Sequence, residues 1–267
     1  MRIVGFDGGF GVVEDDDTVA VMSGDIGQFL AAPHPPGDGE PRRPLRELRL
    51  TAPVTRPEKI ICIGLNYRDH AAETGKPVPT EPIMFAKFAN SLVGDGATVA
   101  VPAIVEDLDW EAELAVVIGR GGRDIPRERA LDHVAGYSCS NDLSARVLQR
   151  RGGQWTRGKA IDGFLPMGPW LVTRDEVPDP QDLRIRCEVN GDTVQDSSTS
   201  QMVFGVAELI AEISRTMTLA PGDIICTGTP PGVGLGMDPP RFLHEGDEVV
   251  VSIEGLGSLH TRIGGTG

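Results

Sequence analysis

Glu111 and Glu113 stand two residues apart in VEDLDWEAELAVVIG (residues 105–119), and the chain turns fully apolar right after them. Alternate side chains of an extended strand share a face. Read so, Asp107, Asp109, Glu111 and Glu113 point one way, and Leu108, Trp110, Ala112 and Leu114 the other. Two carboxylates that close repel, and each is costly to bury without a partner. A divalent cation between them removes both penalties, and carboxylate oxygens suit Mg²⁺, Mn²⁺ or Ca²⁺. The competing account is a solvated strand face, and that is the reading for Asp107 and Asp109. For the two glutamates, structural ion pairs would serve as well as a metal, so pattern alone leaves them open.

Other residues could complete such a site. In CSNDLSARVLQRR, read as a helix with Asn141 or Asp142 as its cap, Asp142, Arg146 and Gln149 fall on one stripe. That stripe could join a metal ligand to groups that hold a carboxylate, or it could be a surface Asp–Arg pair of little energetic weight. His70 and Glu73 are neighbours on one helical turn, so Glu73 could orient His70 as a general base; a lone exposed histidine is the alternative. Lys159, in WTRGKAIDGF, reads as a solvated loop lysine. Thr229, in CTGTPPGVG, stands at a strand end beside a glycine loop, where backbone amides can meet an anion. That loop is neither a Walker A loop nor a dinucleotide fingerprint.

The elements that must position these residues belong to a 267-residue chain, 40% hydrophobic and 24% charged, as in an ordinary globular protein. The net charge of −14 argues against nucleic-acid and anionic-membrane partners. No apolar run is long enough to cross a membrane and the N-terminus carries no secretory signal, so a cytoplasmic location is expected. Cys62, Cys139, Cys187 and Cys226 lie in apolar, strand-like contexts and read as buried reduced thiols. Of the four, Cys139 alone is considered as a nucleophile.

Residues 1–32 read as short strands with glycine turns (RIVGF, VVEDD, TVAVMS). A Pro/Gly-rich linker follows, so residues 1–55 form a small β-rich segment ahead of a main domain over 56–267. KIICIG reads as a strand. NYRDHAAETG is a short helix ended by Gly75, and PRERALDHVAGY another helix. Asn190-Gly191 closes a hairpin, VAELIAEISRTMTL has the helical period, and DEVVVSIEGLGSLHTRI is a closing hairpin. The class is α+β and β-rich, without β-α-β alternation.

GLNYRDHA, DWEAELAVVIG, GYSCSNDLSAR, RGKAIDGFLPMGPWLV and CTGTPPGVG occur in the order and spacing of the fumarylacetoacetate hydrolase family. The resemblance covers roughly residues 56–263. It is to the smaller members of acylpyruvate hydrolase, isomerase and decarboxylase type.

The resemblance implies a mixed β-roll or sandwich with short peripheral helices, and a homodimer. Glu111, Glu113 and Asp142 would be the metal ligands, Mg²⁺ the expected ion, and Mn²⁺ or Ca²⁺ substitutes. The substrate would be a small 2-oxo acid, often a β-diketo acid. Arg146, Gln149 and Thr229 would hold it. His70, oriented by Glu73 on a segment that acts as a lid, would activate water for C–C cleavage, and Lys159 would stabilise the pyruvate enolate. Loss of CO₂ from oxaloacetate or an isomerisation would pass through the same enolate. Ureidoglycolate, diketo-deoxy sugar acids, acylpyruvates and homoprotocatechuate ring-cleavage products all stay open as substrates. A non-catalytic acid-binding protein and a cysteine hydrolase using Cys139 are the rivals.

Overall fold

The computed structural model describes residues 1–15 and 17–265. Asp16, at the end of the expected VVEDD strand, and Thr266 and Gly267, at the end of the expected main domain, lie outside the described residues.

Two sheets carry the fold. The large one runs Arg42–Pro44, Thr18–Met22, Gly9–Val13, Arg2–Phe6, Leu165–Thr173, Val134–Asn141, Ala112–Ile118, Ile224–Cys226, Ile60–Gly64, Ile83–Lys87. The second runs Asp192–Ser198, Arg184–Val189, Glu248–Ile253, Gly257–Ile263, Ala97–Val99. This is the β-rich α+β architecture expected. The N-terminal segment joins the large sheet directly, with Arg2 opposite Val172 and Ile3 opposite Leu171.

Ala112–Ile118 is buried along its whole length, as a strand with both faces covered must be. Leu114, Val116 and Ile118 pack in one core with Ile185, Val189, Val251 and Ile253 of the second sheet. Ala115 and Val117 pack in the other with Ile60, Cys62, Ile224 and Cys226. Glu113, on the same face as Ala115 and Val117, therefore enters the protein at the end of a core strand.

Local signals act as expected in several places. Asn190 and Gly191 take positive φ between the Arg184–Val189 and Asp192–Ser198 strands, the geometry a two-residue primed turn needs. Helix Val206–Thr216 buries Val206, Leu209, Ile210 and Ile213. Helix Arg68–Glu73 is followed by Gly75 at φ 63°.

Elsewhere tertiary contacts override the local reading. Residues 105–119 are not one strand: Leu108–Asp109 pairs with Ser144–Ala145, and the ladder resumes only at Ala112. Asn141 ends a strand, and the expected helix begins only at Arg146, so neither Asn141 nor Asp142 caps it. Asp107 does so from a distant segment, its carboxylate accepting the Val147 N–H at 2.5 Å. PRERALDHVAGY is a 3₁₀ helix over Arg127–His133 running into a strand. The N-terminal segment holds a helix, Ile26–Ala31, that was read as strand and turn. Among the described residues, no helix is long and apolar enough to cross a membrane.

Candidate metal centre and substrate cavity

Three carboxylates converge at the ends of two adjacent central strands of the large sheet, Ala112–Ile118 and Val134–Asn141. One oxygen from each of Glu111, Glu113 and Asp142 lies within 4.8 Å of the other two, and all three residues are buried. The ladder breaks just before Ala112, and that break places Glu111. Its backbone N–H donates to Asn141 Oδ1 at 3.0 Å, and the next N–H, of Ala112, donates to Gln195 Oε1 at 3.0 Å. Side-chain acceptors thus take over from the missing strand partner. Asp142 follows directly on Val134–Asn141, its N–H donating to the Glu111 carbonyl at 2.8 Å.

Two of the three carboxylates are held by lysines. Lys159 Nζ stands 2.6 Å from Glu111 Oε2 and 2.7 Å from Asp142 Oδ2. Lys87 Nζ donates to Asp142 Oδ1 at 2.6 Å and to the Leu143 carbonyl at 3.3 Å. Glu113 differs. It accepts the Gly228 N–H at 3.0 Å, and among the described residues it has no lysine or arginine in an ion pair. Gly228 sits at φ 94°, with space for a Cβ closed by Asn66 at 2.8 Å, so glycine is required to bring that amide to the carboxylate.

The electrostatics follow. Burial by itself would raise the Glu111 carboxyl, but Lys159 and Arg146 bring it down to about 2. Burial disfavours the Lys159 ammonium, yet Asp142 and Glu111 hold its pKa well above the ordinary lysine value. Burial, reinforced by Asp142 and Glu111, pushes Glu113 well above the usual carboxylate range. A carboxylate in that position takes either a proton or a cation. The cluster as a whole sets four buried carboxylates, Asp109, Glu111, Glu113 and Asp142, against three cations, Lys87, Arg146 and Lys159. A divalent ion would turn the one excess negative charge into one positive charge, the sign an anionic ligand needs. The all-oxygen donor set fits Mg²⁺, Mn²⁺ or Ca²⁺.

A cavity of about 390 Å³ opens over this cluster. It is lined by His70, Glu73, Glu111, Glu113, Arg146, Gln149, Lys159 and Thr229, that is, by every residue to which the family resemblance gives a role except Asp142, which is buried. His70 Nδ1 is 2.8 Å from Glu73 Oε2. A carboxylate only accepts, so Nδ1 is the donor here, and the neutral form of the ring would carry its lone pair on Nε2. The other Glu73 oxygen accepts the Gly232 N–H at 2.8 Å and ties helix Arg68–Glu73 to the Gly/Pro loop. Thr229 Oγ1 accepts from Gln195 Nε2 at 2.8 Å, so its own proton is free to donate.

Four placements correct the sequence reading. Asp109, expected on a solvated face, is fully buried. It takes Arg146 Nε at 2.8 Å and the amides of Gly234 and Leu235 at 2.7 and 3.0 Å. Asp107 is likewise buried, against the start of helix Arg146–Arg150. Lys159, read as a solvated loop lysine, ends a short helix and is only 1% exposed. Asp142 is off the helix that carries Arg146 and Gln149, so the three meet through folding and not along one stripe. Arg146 Nη1 reaches Glu111 Oε1 at 2.5 Å and Gln149 Oε1 at 3.2 Å.

Lys87 was missed. Its signal was a lone lysine in the apolar strand IMFAK, on the same side as Phe85, which lines the cavity. Cys139 is buried, and burial pushes its thiol up to about 12. All four cysteines are free and buried.

A β-rich fold that collects three buried carboxylates, two buried lysines and a histidine–carboxylate pair at one cavity defines a class of proteins whose site could hold a cation and a small anion together. Comparison with known proteins gives the family. The profile described as fumarylacetoacetate (FAA) hydrolase C-terminal matches residues 59–264, and the chain belongs to that family. It is 51% identical over 225 residues to the mitochondrial oxaloacetate tautomerase FAHD2A of Bos taurus, covering 84% of this chain and 72% of that one. Among solved structures it resembles a fumarylacetoacetate hydrolase from Exiguobacterium antarcticum (39% identity, TM-score 0.88, 99% of each chain). It also resembles the maleylpyruvate hydrolase of Sphingobium sp. SYK-6, solved with manganese(II) and pyruvate (32% identity, TM-score 0.82, 100% of each chain).

Proposed function

We propose that the protein is a metal-dependent enzyme that enolises a small 2-oxo acid, with keto–enol interconversion of oxaloacetate as its net reaction. The observation that carries this reading is the His70–Glu73 pair on the wall of a cavity whose floor is the Glu111, Glu113, Asp142 cluster. The identity to an oxaloacetate tautomerase supports the substrate.

A divalent cation, Mg²⁺ by expectation, would be held by Glu111, Glu113 and Asp142 and would supply a Lewis acid for the 2-oxo and carboxylate oxygens. The remaining work falls to side chains. Arg146 and Gln149 orient the carboxylate, and the Thr229 hydroxyl donates to a second oxygen. His70 Nε2 takes a proton from the carbon next to the 2-oxo group, Glu73 stabilises the imidazolium that forms, and the proton returns to oxygen. The Lys159 ammonium opposes the negative charge that develops as the proton leaves.

Hydrolytic C–C cleavage is the second reading. The same histidine could activate water in place of abstracting a proton, and the likeness to a maleylpyruvate hydrolase favours it. The expected homodimer is part of this proposal, to be read by light scattering. The deciding experiment follows decay of enol-oxaloacetate, cleavage of acetylpyruvate and cleavage of a diketo-deoxy sugar acid in Mg²⁺, with an EDTA control. EDTA-sensitive acceleration of the enol decay supports tautomerisation. Metal-dependent cleavage of acetylpyruvate with the enol decaying at the buffer rate would move the assignment to hydrolase.

A further inference from the structure

Strand Asp192–Ser198 (DTVQDSS) carries one apolar residue, yet the residue it buries is the glutamine. The register explains this. Cys187 stands opposite Gln195 and Glu188 opposite Thr193, so Val194 is an extra residue in the ladder. A bulge of this kind re-aims the side chain beside it. Gln195 takes the side of Cys187, a core residue, and is only 1% exposed. The Gly/Pro loop is seated on the same bulge, where a Cβ at Gly232 would collide with the Val194 carbonyl.

Gln195 is not among the residues that line the cavity, but its carboxamide is fully engaged beside it. Oε1 accepts the Ala112 N–H at 3.0 Å. Nε2 donates to the Pro230 carbonyl and to Thr229 Oγ1, each at 2.8 Å. The two main-chain groups fix which end of the amide is which. Turned over, it would set its NH₂ against an N–H and its oxygen against a carbonyl. Both Nε2 protons are therefore assigned, and the Thr229 hydroxyl has to accept one of them. Thr229 lines the cavity, and its own proton is left for a ligand there. We propose that Gln195 is a positioning residue, which from the second sheet dictates the direction of the Thr229 hydroxyl and so strengthens the hold on the ligand without touching it. The inference rests on the reading of Thr229 as a donor to the 2-oxo acid.

Two substitutions set polarity against packing. Gln195→Glu keeps the shape and the acceptor for Ala112. A carboxyl carries at most one proton where the amide offers two, so the Thr229 hydroxyl turns its own proton towards it. Gln195→Met removes the acceptor and both donors, and leaves the hydroxyl free to turn either way. Calorimetry in Mg²⁺ gives the dissociation constant of oxaloacetate for the wild type, for both variants, for Thr229→Val, and for each Gln195 variant combined with Thr229→Val. Gln195→Glu and Thr229→Val are each expected to weaken binding roughly tenfold, and Gln195→Met about threefold. Once residue 229 is valine, neither change at 195 should weaken binding by more than about twofold further. A merely structural role predicts the reverse order, because Gln195→Met leaves the Ala112 N–H and the Pro230 carbonyl without partners. It also predicts effects that add to that of Thr229→Val, as does simple repulsion by the new carboxylate. Either result overturns the proposal, and so does wild-type affinity in Gln195→Glu or in Thr229→Val. Should Gln195→Glu not fold, Gln195→Met carries the same test through additivity. The measurement is of binding. If enol-oxaloacetate decays at the buffer rate while the effects at 195 and 229 fail to add, the tautomerase reading falls and the positioning role stands.

Discussion

The Arg146 guanidinium meets the Asp109 carboxylate at 2.8 Å, with both groups buried. The same carboxylate holds the amides of Gly234 and Leu235. Asp109 thereby joins the arginine assigned to the substrate carboxylate to the loop that closes the far wall of the cavity. Asp109→Asn removes the charge and keeps the shape. Breaking a buried pair on one side costs about 3–5 kcal/mol, so the melting temperature falls. The KM for the 2-oxo acid is expected to rise by roughly tenfold or more, with a smaller change in kcat. An unchanged KM would remove Asp109 from the positioning of Arg146.

Glu113→Gln and His70→Ala should separate metal from base. Glu113→Gln is expected to lose Mg²⁺ or Mn²⁺ binding in a calorimetric titration and to lose turnover with it. His70→Ala should keep the ion and lose ~10²–10⁴-fold in kcat. Because Glu113 is held well above the ordinary carboxylate range, cation binding should release a proton, and affinity should climb with pH until that group is ionised. Full metal occupancy in Glu113→Gln would falsify the ligand assignment.

Lys87→Met probes the cation that the sequence reading passed over. The substitution leaves the Asp142 carboxylate short of a buried partner, at a cost of about 3–5 kcal/mol in stability. A bound divalent ion would restore part of the lost positive charge. The expected result is a low melting temperature without metal and a larger upward shift on adding Mg²⁺ than in the wild type. Equal shifts in the two proteins would show that Lys87 and the ion act independently.

Acid should strip the contribution of Glu111. Its carboxyl is lowered to about 2 in the fold, against about 4.3 in an unfolded chain. A depressed acid stabilises the folded state above the unfolded value, and that contribution is lost as pH falls through the window down to about 2. In Glu111→Gln the loss of stability across this window should be shallower, as followed by circular dichroism. An identical acid-unfolding curve would contradict the assigned shift.

Cys139 gives a negative test of the cysteine rival. With burial pushing the thiol up to about 12, the thiolate fraction near pH 8 is on the order of 10⁻⁴. Iodoacetamide at that pH should leave the folded protein unlabelled and fully active, while EDTA abolishes activity. Rapid inactivation with one label at Cys139 would reinstate the thiol.

Much of this protein is decided by its sequence alone. The Asn190-Gly191 hairpin, helix Val206–Thr216 and the buried strand after Glu113 follow from local rules of turn chemistry and periodicity that hold without distant partners. The paired carboxylates, the His70–Glu73 spacing and the fumarylacetoacetate hydrolase motifs were likewise legible, because each lies within a few residues of chain. What only the tertiary structure decided is how charges pair across the fold. Asp107 and Asp109 read as exposed because their partners, the Val147 amide and Arg146, are some forty residues away. Lys159 read as solvated because Glu111 and Asp142 reach it only once the helix bearing it packs beneath the cavity. Lys87 had no local signature beyond one cation in an apolar strand. A buried charge is tolerated only where its counter-charge is in contact, and a contact of that kind depends on which segments the fold brings together. Spacing along the chain cannot disclose it.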